Sequence, residues 1–232
     1  GDGVERVRFP SMRLNRGDDF SLDLERRGEG YAVTVRGKSI DARSLVKLQT
    51  RDMAGGAGEG AGTPVTVDLS VDALTGFHGE TLRDVTLKYS GTGARGDLTE
   101  FSATTTSGAP VAFRDGRNGA TRNVSAQSAD AGALLRFLDI YERMEGGRIA
   151  LNLTGQDEAT LRGHIDARDF WLVNEPRLSS IVSSPSTRDG RSLNQAVRGS
   201  LDTSRVQFER GYAEIARGQG RVSLDRGILR GP

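Results

Sequence analysis

A chain of 232 residues is long enough for one large β domain or two small ones, and 31 glycines with only 6% aromatic residues favour a β structure with many turns. Its 32 basic and 31 acidic residues nearly cancel, which argues against a nucleic-acid-binding or membrane-surface charge field. The absence of cysteine excludes disulfides, thiolate metal sites and a cysteine nucleophile.

Alternation of apolar and polar residues is the main structural signal along the chain. It is seen in FSLDLE (20–25), YAVTVRG (31–37), PVTVDLSVD (64–72), and then around 85–89, 149–153, 161–165 and 222–224. Period-2 patterning predicts half-buried strands, each with one apolar and one solvated face. Glycine-rich turns such as RGEG and SGTG separate these segments, as an antiparallel meander requires.

Three segments depart from this alternation and predict short helices, at residues 41–53, 129–145 and 175–184. In the second segment one helical face carries Leu134, Leu138, Tyr141 and Met144, and this face needs an apolar partner. Asp130 or Ser128 is a candidate cap for its start, and Gly146-Gly147 for its end.

The first two predicted helices resemble each other in sequence. SIDARSLVKL begins at Ser39 and SADAGALLRF at Ser128, with Ser, Asp, Ala and Leu at matching positions. Each follows a strand-like segment. We infer a repeated unit of several strands closed by a short helix, and hence an extended, repetitive β structure.

Composition divides the chain into three parts. We expect residues 1–53 to form a strand and helix unit, residues 54–62 (AGGAGEGAG) to form a flexible linker, and residues 63–232 to form a larger β region. The chain shows no signal peptide and no apolar run near 18 residues. We expect it to be a piece of a longer protein.

No arrangement of side chains points to catalysis. The two histidines, His78 and His164, are far apart in sequence and lack metal-binding spacing, and they are best interpreted as ordinary surface residues. Carboxylates are scattered, and no acidic loop has calcium spacing. The sequence therefore predicts no enzyme activity, no catalytic residue, no cofactor and no metal.

Residues 128–182 are similar to the C-terminal region of AsmA-like proteins of Gram-negative bacteria, the relatives of TamB. That region combines an amphipathic helix ending in Gly-Gly, two strands separated by a glycine turn, a DF–V–N–P motif and a short helix. The matching residues are Asp130, Gly132, Leu134, Leu135, Arg136, Tyr141, Gly146, Gly147, Gly163, Phe170, Val173, Asn174 and Pro176.

The resemblance implies a periplasmic protein anchored to the inner membrane by a segment outside this chain. It implies a long curved antiparallel sheet that forms an open apolar groove, with about three short helices. Its implied role is to bind phospholipid, or another acyl-chain lipid, and conduct it between the inner and outer membranes during outer-membrane biogenesis. No catalytic motif belongs to the family pattern, and no nucleic acid is implied as a partner.

The alternating strands supply the candidate lining of the groove. It comprises Val33, Val35, Val67, Leu69, Val85, Leu87, Leu151, Leu153, Leu161 and Ile165. Three short helices are too few to cover such a face, so the residues leave two architectures open: an open trough that holds lipid, or a closed sandwich. A different function, an envelope-assembly scaffold that binds partners by strand addition at a sheet edge, also remains open.

Overall fold

A computed structural model describes residues 4–47, 62–92, 95–156, 160–178, 204–218 and 221–231. These residues form one long, open, curved sheet of twelve strands, and the sheet does not close on itself. Each strand pairs only with the strands next to it in sequence, so the spatial order is β1 to β12. The predicted fold class, a curved and open β sheet with three short helices, is confirmed, and the closed sandwich is excluded.

The strands are seven to fourteen residues long. Their bounds are β1 Arg6–Met12, β2 Asp19–Arg27, β3 Gly30–Asp41, β4 Pro64–Thr75, β5 Thr81–Thr92, β6 Arg95–Thr105, β7 Pro110–Asn118, β8 Thr121–Ser128, β9 Met144–Gln156, β10 Thr160–Val173, β11 Arg205–Gly218 and β12 Arg221–Arg230. The helices are α1 at residues 43–47, α2 at Ala131–Phe137 and α3 at residues 176–178. All three helices follow strands that end at the same long edge of the sheet, which we call the helical edge.

One pairing differs from the predicted meander. β3 and β4 are parallel, with Val33 opposite Val67, whereas every other described pair is antiparallel. Parallel neighbours need a connection that returns to the starting edge of the sheet. The connection here runs from residue 42 to residue 63, so the segments before and after the glycine-rich linker belong to one continuous sheet.

The helix predicted at 129–145 is shorter than expected. It ends at Phe137, where Leu138 is the C-cap and Asp139 has a left-handed φ of 56°. Gly146 and Gly147 do not end the helix but lie within β9, where both have positive φ. Because Asp139 tolerates the left-handed conformation, the chain turns there and the residues from Met144 onward pair as a strand. Residues 48–53 and 179–184 of the other two predicted helices lie outside the described residues.

Helix α2 is held by its cap and by one close contact. Asp130 Oδ1 accepts a hydrogen bond from the Ala133 backbone N–H at 3.0 Å. The buried Phe137 ring lies against Gly76, where an added Cβ would be 2.3 Å from the ring. Leu134 and Leu138 pack on the same cluster of apolar residues, and Tyr141, which lies beyond the helix, packs on a neighbouring cluster. The predicted docking of this segment on the apolar face is therefore observed at the helical edge.

We expect Asp130→Ala to lower the free energy of unfolding by about 1 kcal/mol, because the α2 N-terminus loses its side-chain acceptor. Urea denaturation measures this change. Asp130→Asn keeps an oxygen at the same place and serves as the matched control, with an expected loss of a few tenths of a kcal/mol. Equal losses for the two variants would show that the carboxylate charge, rather than the cap, holds the helix.

Candidate lipid-binding face

Cross-strand register determines which side chains share a face, because directly opposite residues on neighbouring strands point the same way. One unbroken row of opposed apolar residues crosses eleven strands. Its members are Phe9, Leu22, Val35, Leu69, Leu87, Phe101, Phe113, Ala126, Leu151, Ile165 and Ala213. Neighbouring strands are spaced by about 4.8 Å, so this row extends for about 48 Å along the sheet. We call the side of the sheet that carries it the apolar face.

All ten predicted lining residues lie on the apolar face. Val35, Leu69, Leu87, Leu151 and Ile165 belong to the row itself. The remaining five are two residues from it on their strands, or four in the case of Leu161, so they point the same way. They are Val33, Val67, Val85, Leu153 and Leu161. The structure therefore gathers these residues on one surface, though at positions spread from β3 to β10.

The burial of side chains on the apolar face indicates that this face lies on the inner side of the curve. Val124, Leu153 and Leu161 are at most 5% exposed, and they pack with Phe113, Leu151 and Ile215 of their own sheet. Side chains on one face of a flat sheet without a covering layer would be open to water. Their burial follows if the sheet curls around them, which makes the apolar face a trough.

Helices cover only part of this trough. In the described ranges, α2 packs at the helical edge beside β9 and β10, and Val46 of α1 packs on the cluster that contains Val85. Phe101, Phe113, Leu151 and Ile165 in the row remain partly exposed. An apolar surface of this length facing an open trough is suited to long hydrocarbon chains, whose burial gains about 0.8 kcal/mol per CH2.

Two aspartates in the left-handed conformation lie where large apolar side chains are kept on this face near the helical edge. The register of β5 with β6 shifts beside Asp84, whereas β10 pairs in step with both neighbours across Asp169. Asp84 in β5 and Asp169 in β10 have φ near 50–55°, and each follows an exposed arginine. At each position the arginine and the aspartate are both exposed, and the apolar residues on either side of them, Leu82 and Phe170 among them, are buried. Both positions have the sequence Arg-Asp followed by an apolar residue, at 83–85 and 168–170, and this shared pattern is a sequence signal for the left-handed aspartate.

One ionic cluster interrupts the apolar face at the edge opposite the helices. Arg122 of β8 donates from Nε to both oxygens of Asp115 on β7, at 2.9 and 3.0 Å, and from Nη2 to Asp97 on β6, at 2.7 Å. The side chains of Arg122 and Asp115 are only 11% and 8% exposed. Hydrogen bonding to Asp115 raises the pKa of the Arg122 guanidinium. With one arginine and two aspartates the cluster has a formal charge of −1, which does not favour an anion.

The cluster lies where β6 and β7 separate. Their described pairing runs only from Glu100 opposite Arg114 to Thr104 opposite Pro110. Beyond that point Arg122 connects the two strands through Asp97 and Asp115. We interpret the cluster as the interaction that holds β6 and β7 together at this edge of the sheet.

Sequence reasoning missed several lining residues. Leu22, Phe101, Phe113 and Ala126 lie in the row but were not among the predicted set. Phe101 and Phe113 stand in strands where serine, threonine and charged residues blur the alternation. A weak sequence signal was present, because Phe101 and Ala103, and likewise Val111 and Phe113, are apolar residues two positions apart and therefore lie on the same face of a strand.

The two histidines occupy separate places. His78 lies at the helical edge, with Nε2 2.8 Å from Asp139 Oδ1. His164 lies on the opposite, polar face and stacks on Tyr212 with ring centroids 5.7 Å apart.

Within the described ranges, no three metal-binding side chains converge. None of the described helices has the length and apolar character needed to cross a membrane.

No protein-family model, curated protein or solved structure matches this chain.

Proposed function

We propose that this protein binds acyl-chain lipid, with phospholipid as the natural case, and conducts it along the apolar face. The observation that carries the proposal is the unbroken apolar row across eleven strands. A binding pocket for one small molecule would need a few converging polar groups to fix the ligand's orientation. A row without polar side chains instead permits a hydrocarbon chain to move along it, because no position offers a specific polar contact.

The resemblance to AsmA-like proteins gives this surface its proposed setting. In that setting the chain is a segment of a periplasmic protein attached to the inner membrane, and lipid passes along its sheet toward the outer membrane. No cofactor and no catalytic group is required, since burial of hydrocarbon supplies the affinity and movement along the trough breaks no covalent bond.

Photocrosslinking tests the proposal with neighbouring positions that point to opposite faces. A photoreactive residue at Leu87, Leu151 or Ile165 faces the trough, whereas one at Thr86, Asn152 or His164 faces away. After illumination in cells, mass spectrometry should find lipid-mass adducts at the first set and few at the second. Equal labelling of the two sets, or none at either, would contradict the lipid-conducting role.

A second candidate function is an assembly scaffold that binds extended partner segments by strand addition. It is favoured by the contrast between the two edge strands. β1 carries Pro10, which cannot donate a ladder hydrogen bond, whereas β12 contains no proline. On β12, Leu224 and Leu229 are 64% and 61% exposed, which would suit pairing with another strand. Crosslinks from β12 to protein, without lipid adducts in the trough, would favour the scaffold.

A further inference from the structure

Four arginines lie directly opposite one another on the polar face, the side of the sheet that bears Arg36, Asp68 and Asn152. Arg148 of β9 is opposite Arg168 of β10, Arg168 is opposite Arg210 of β11, and Arg210 is opposite Arg230 of β12. At about 4.8 Å between strands, this arginine row spans about 14 Å. Like charges placed directly opposite on neighbouring strands destabilise a sheet unless carboxylates or a bound anion offset them.

Carboxylates offset only part of this charge. Asp166 pairs with Arg168 and Arg210, and Asp169 pairs with Arg148 at 2.6 Å. No carboxylate in the described ranges pairs with Arg230. The row and its two partners therefore carry a net charge of +2, and the side chains of Arg148 and Arg168 are 67% and 56% exposed.

A shallow depression lies beside two arginines of the row. Small side chains, Ala112 and Ala150, lie in it beside Gln127 and His164, and its other charged lining residues are Arg148, Arg168 and Asp166, the partner of Arg168. Arg210 lies over the Tyr212 ring at 5.3 Å, and its Nε is buried with no acceptor among the described residues. A buried donor without an acceptor is rare in a folded protein, and this one belongs to the arginine row itself.

We propose that the arginine row and the depression beside it bind a phosphate-bearing ligand. Guanidinium groups present paired N–H donors that match phosphate oxygens, and a series of them favours a ligand with more than one phosphate or a surface of phosphate headgroups. The site is on the side of the sheet opposite the trough, and it is independent of whether the trough holds lipid. The phosphate comes either from a soluble polyphosphorylated compound or from anionic lipid headgroups.

The test uses inorganic tripolyphosphate for the soluble source and phosphatidylglycerol vesicles, compared with phosphatidylcholine vesicles, for the lipid source. Calorimetry and cosedimentation measure binding to the whole chain and to Arg148→Gln/Arg168→Gln. We expect this variant to bind at least tenfold more weakly. A second variant, Arg148→Lys/Arg168→Lys, keeps the charges and ion pairs, and we expect it to bind more weakly than the parent because lysine lacks the paired donors.

The matched control is Arg36→Gln/Arg114→Gln, which removes the same charge from the same face away from the row. Loss confined to the row variants supports the site: binding of tripolyphosphate alone assigns a soluble ligand, and binding of phosphatidylglycerol alone assigns lipid headgroups. The proposal is overturned if neither probe binds the parent chain, if the row variants bind like the parent, or if the control loses as much affinity as they do.

Discussion

Replacing Arg122 with methionine is expected to lower the free energy of unfolding by about 3–5 kcal/mol. The substitution removes the partner of Asp115, a side chain that is only 8% exposed, and leaves its charge uncompensated beside apolar residues. It also removes the link to Asp97 across the point where β6 and β7 separate. Urea denaturation of the variant and the parent measures the loss.

A double variant separates the charge from the volume of the side chain. Arg122→Met/Asp115→Leu removes the two buried charged groups and leaves only the half-exposed Asp97, so most of the lost stability should return. The strongly exposed pair of Arg148 and Asp169 supplies a matched comparison, because Arg148→Met should change the stability by less than about 1 kcal/mol. If Arg122→Met lowers the free energy of unfolding as little as Arg148→Met does, then water reaches the cluster and the cluster does not hold β6 and β7 together.

A glutamate at Ala126 is expected to reduce lipid capture by at least tenfold. Ala126 lies in the apolar row between Phe113 and Leu151, so its replacement puts a carboxylate in the path of the hydrocarbon. A charge beside an acyl chain costs several kcal/mol when water is excluded, and each 1.4 kcal/mol is a tenfold change in affinity. Native mass spectrometry of protein purified with bound lipid measures the captured fraction.

The matched control is Ser125→Glu, one residue away and on the polar face, where the new carboxylate is opposite Arg114. It adds the same charge without entering the trough, so lipid capture should stay at the parent level. Melting temperatures of the two variants show whether the fold is preserved. If both variants capture lipid equally well, the apolar row is not the lipid path.

The faces of the strands could be predicted from sequence because alternation is a local property. In Val65 to Val71 and in Leu151 to Leu153, the apolar residues alternate with polar ones and so indicate which face of the strand is apolar. Regular pairing then aligns the apolar faces of neighbouring strands. That is why the ten predicted lining residues share one surface. The cap at Asp130 was likewise readable, since it depends on residues three positions apart.

Other features depend on which strand pairs with which, and the sequence pattern does not contain that information. The parallel pairing of β3 with β4 is one example. The arginine row is another, since Arg148, Arg168, Arg210 and Arg230 become neighbours only through three registers. The second helix was predicted to be longer than it is for a different reason. Helical periodicity continues through Leu138 and Tyr141, but Asp139 turns the chain in a conformation that periodicity does not detect.

The neighbour-only order of the twelve strands has a consequence for how the molecule opens. Each interior strand is held by two ladders, whereas β1 and β12 are held by one, and no long-range pairing joins the ends. Such a chain approximates a linear array whose stability is the sum of nearest-neighbour interfaces. Amide hydrogen exchange should therefore be graded, fastest in β1 and β12 and slowest around the fully buried Val85 of β5. Fraying from either end would shorten the trough while leaving its centre intact.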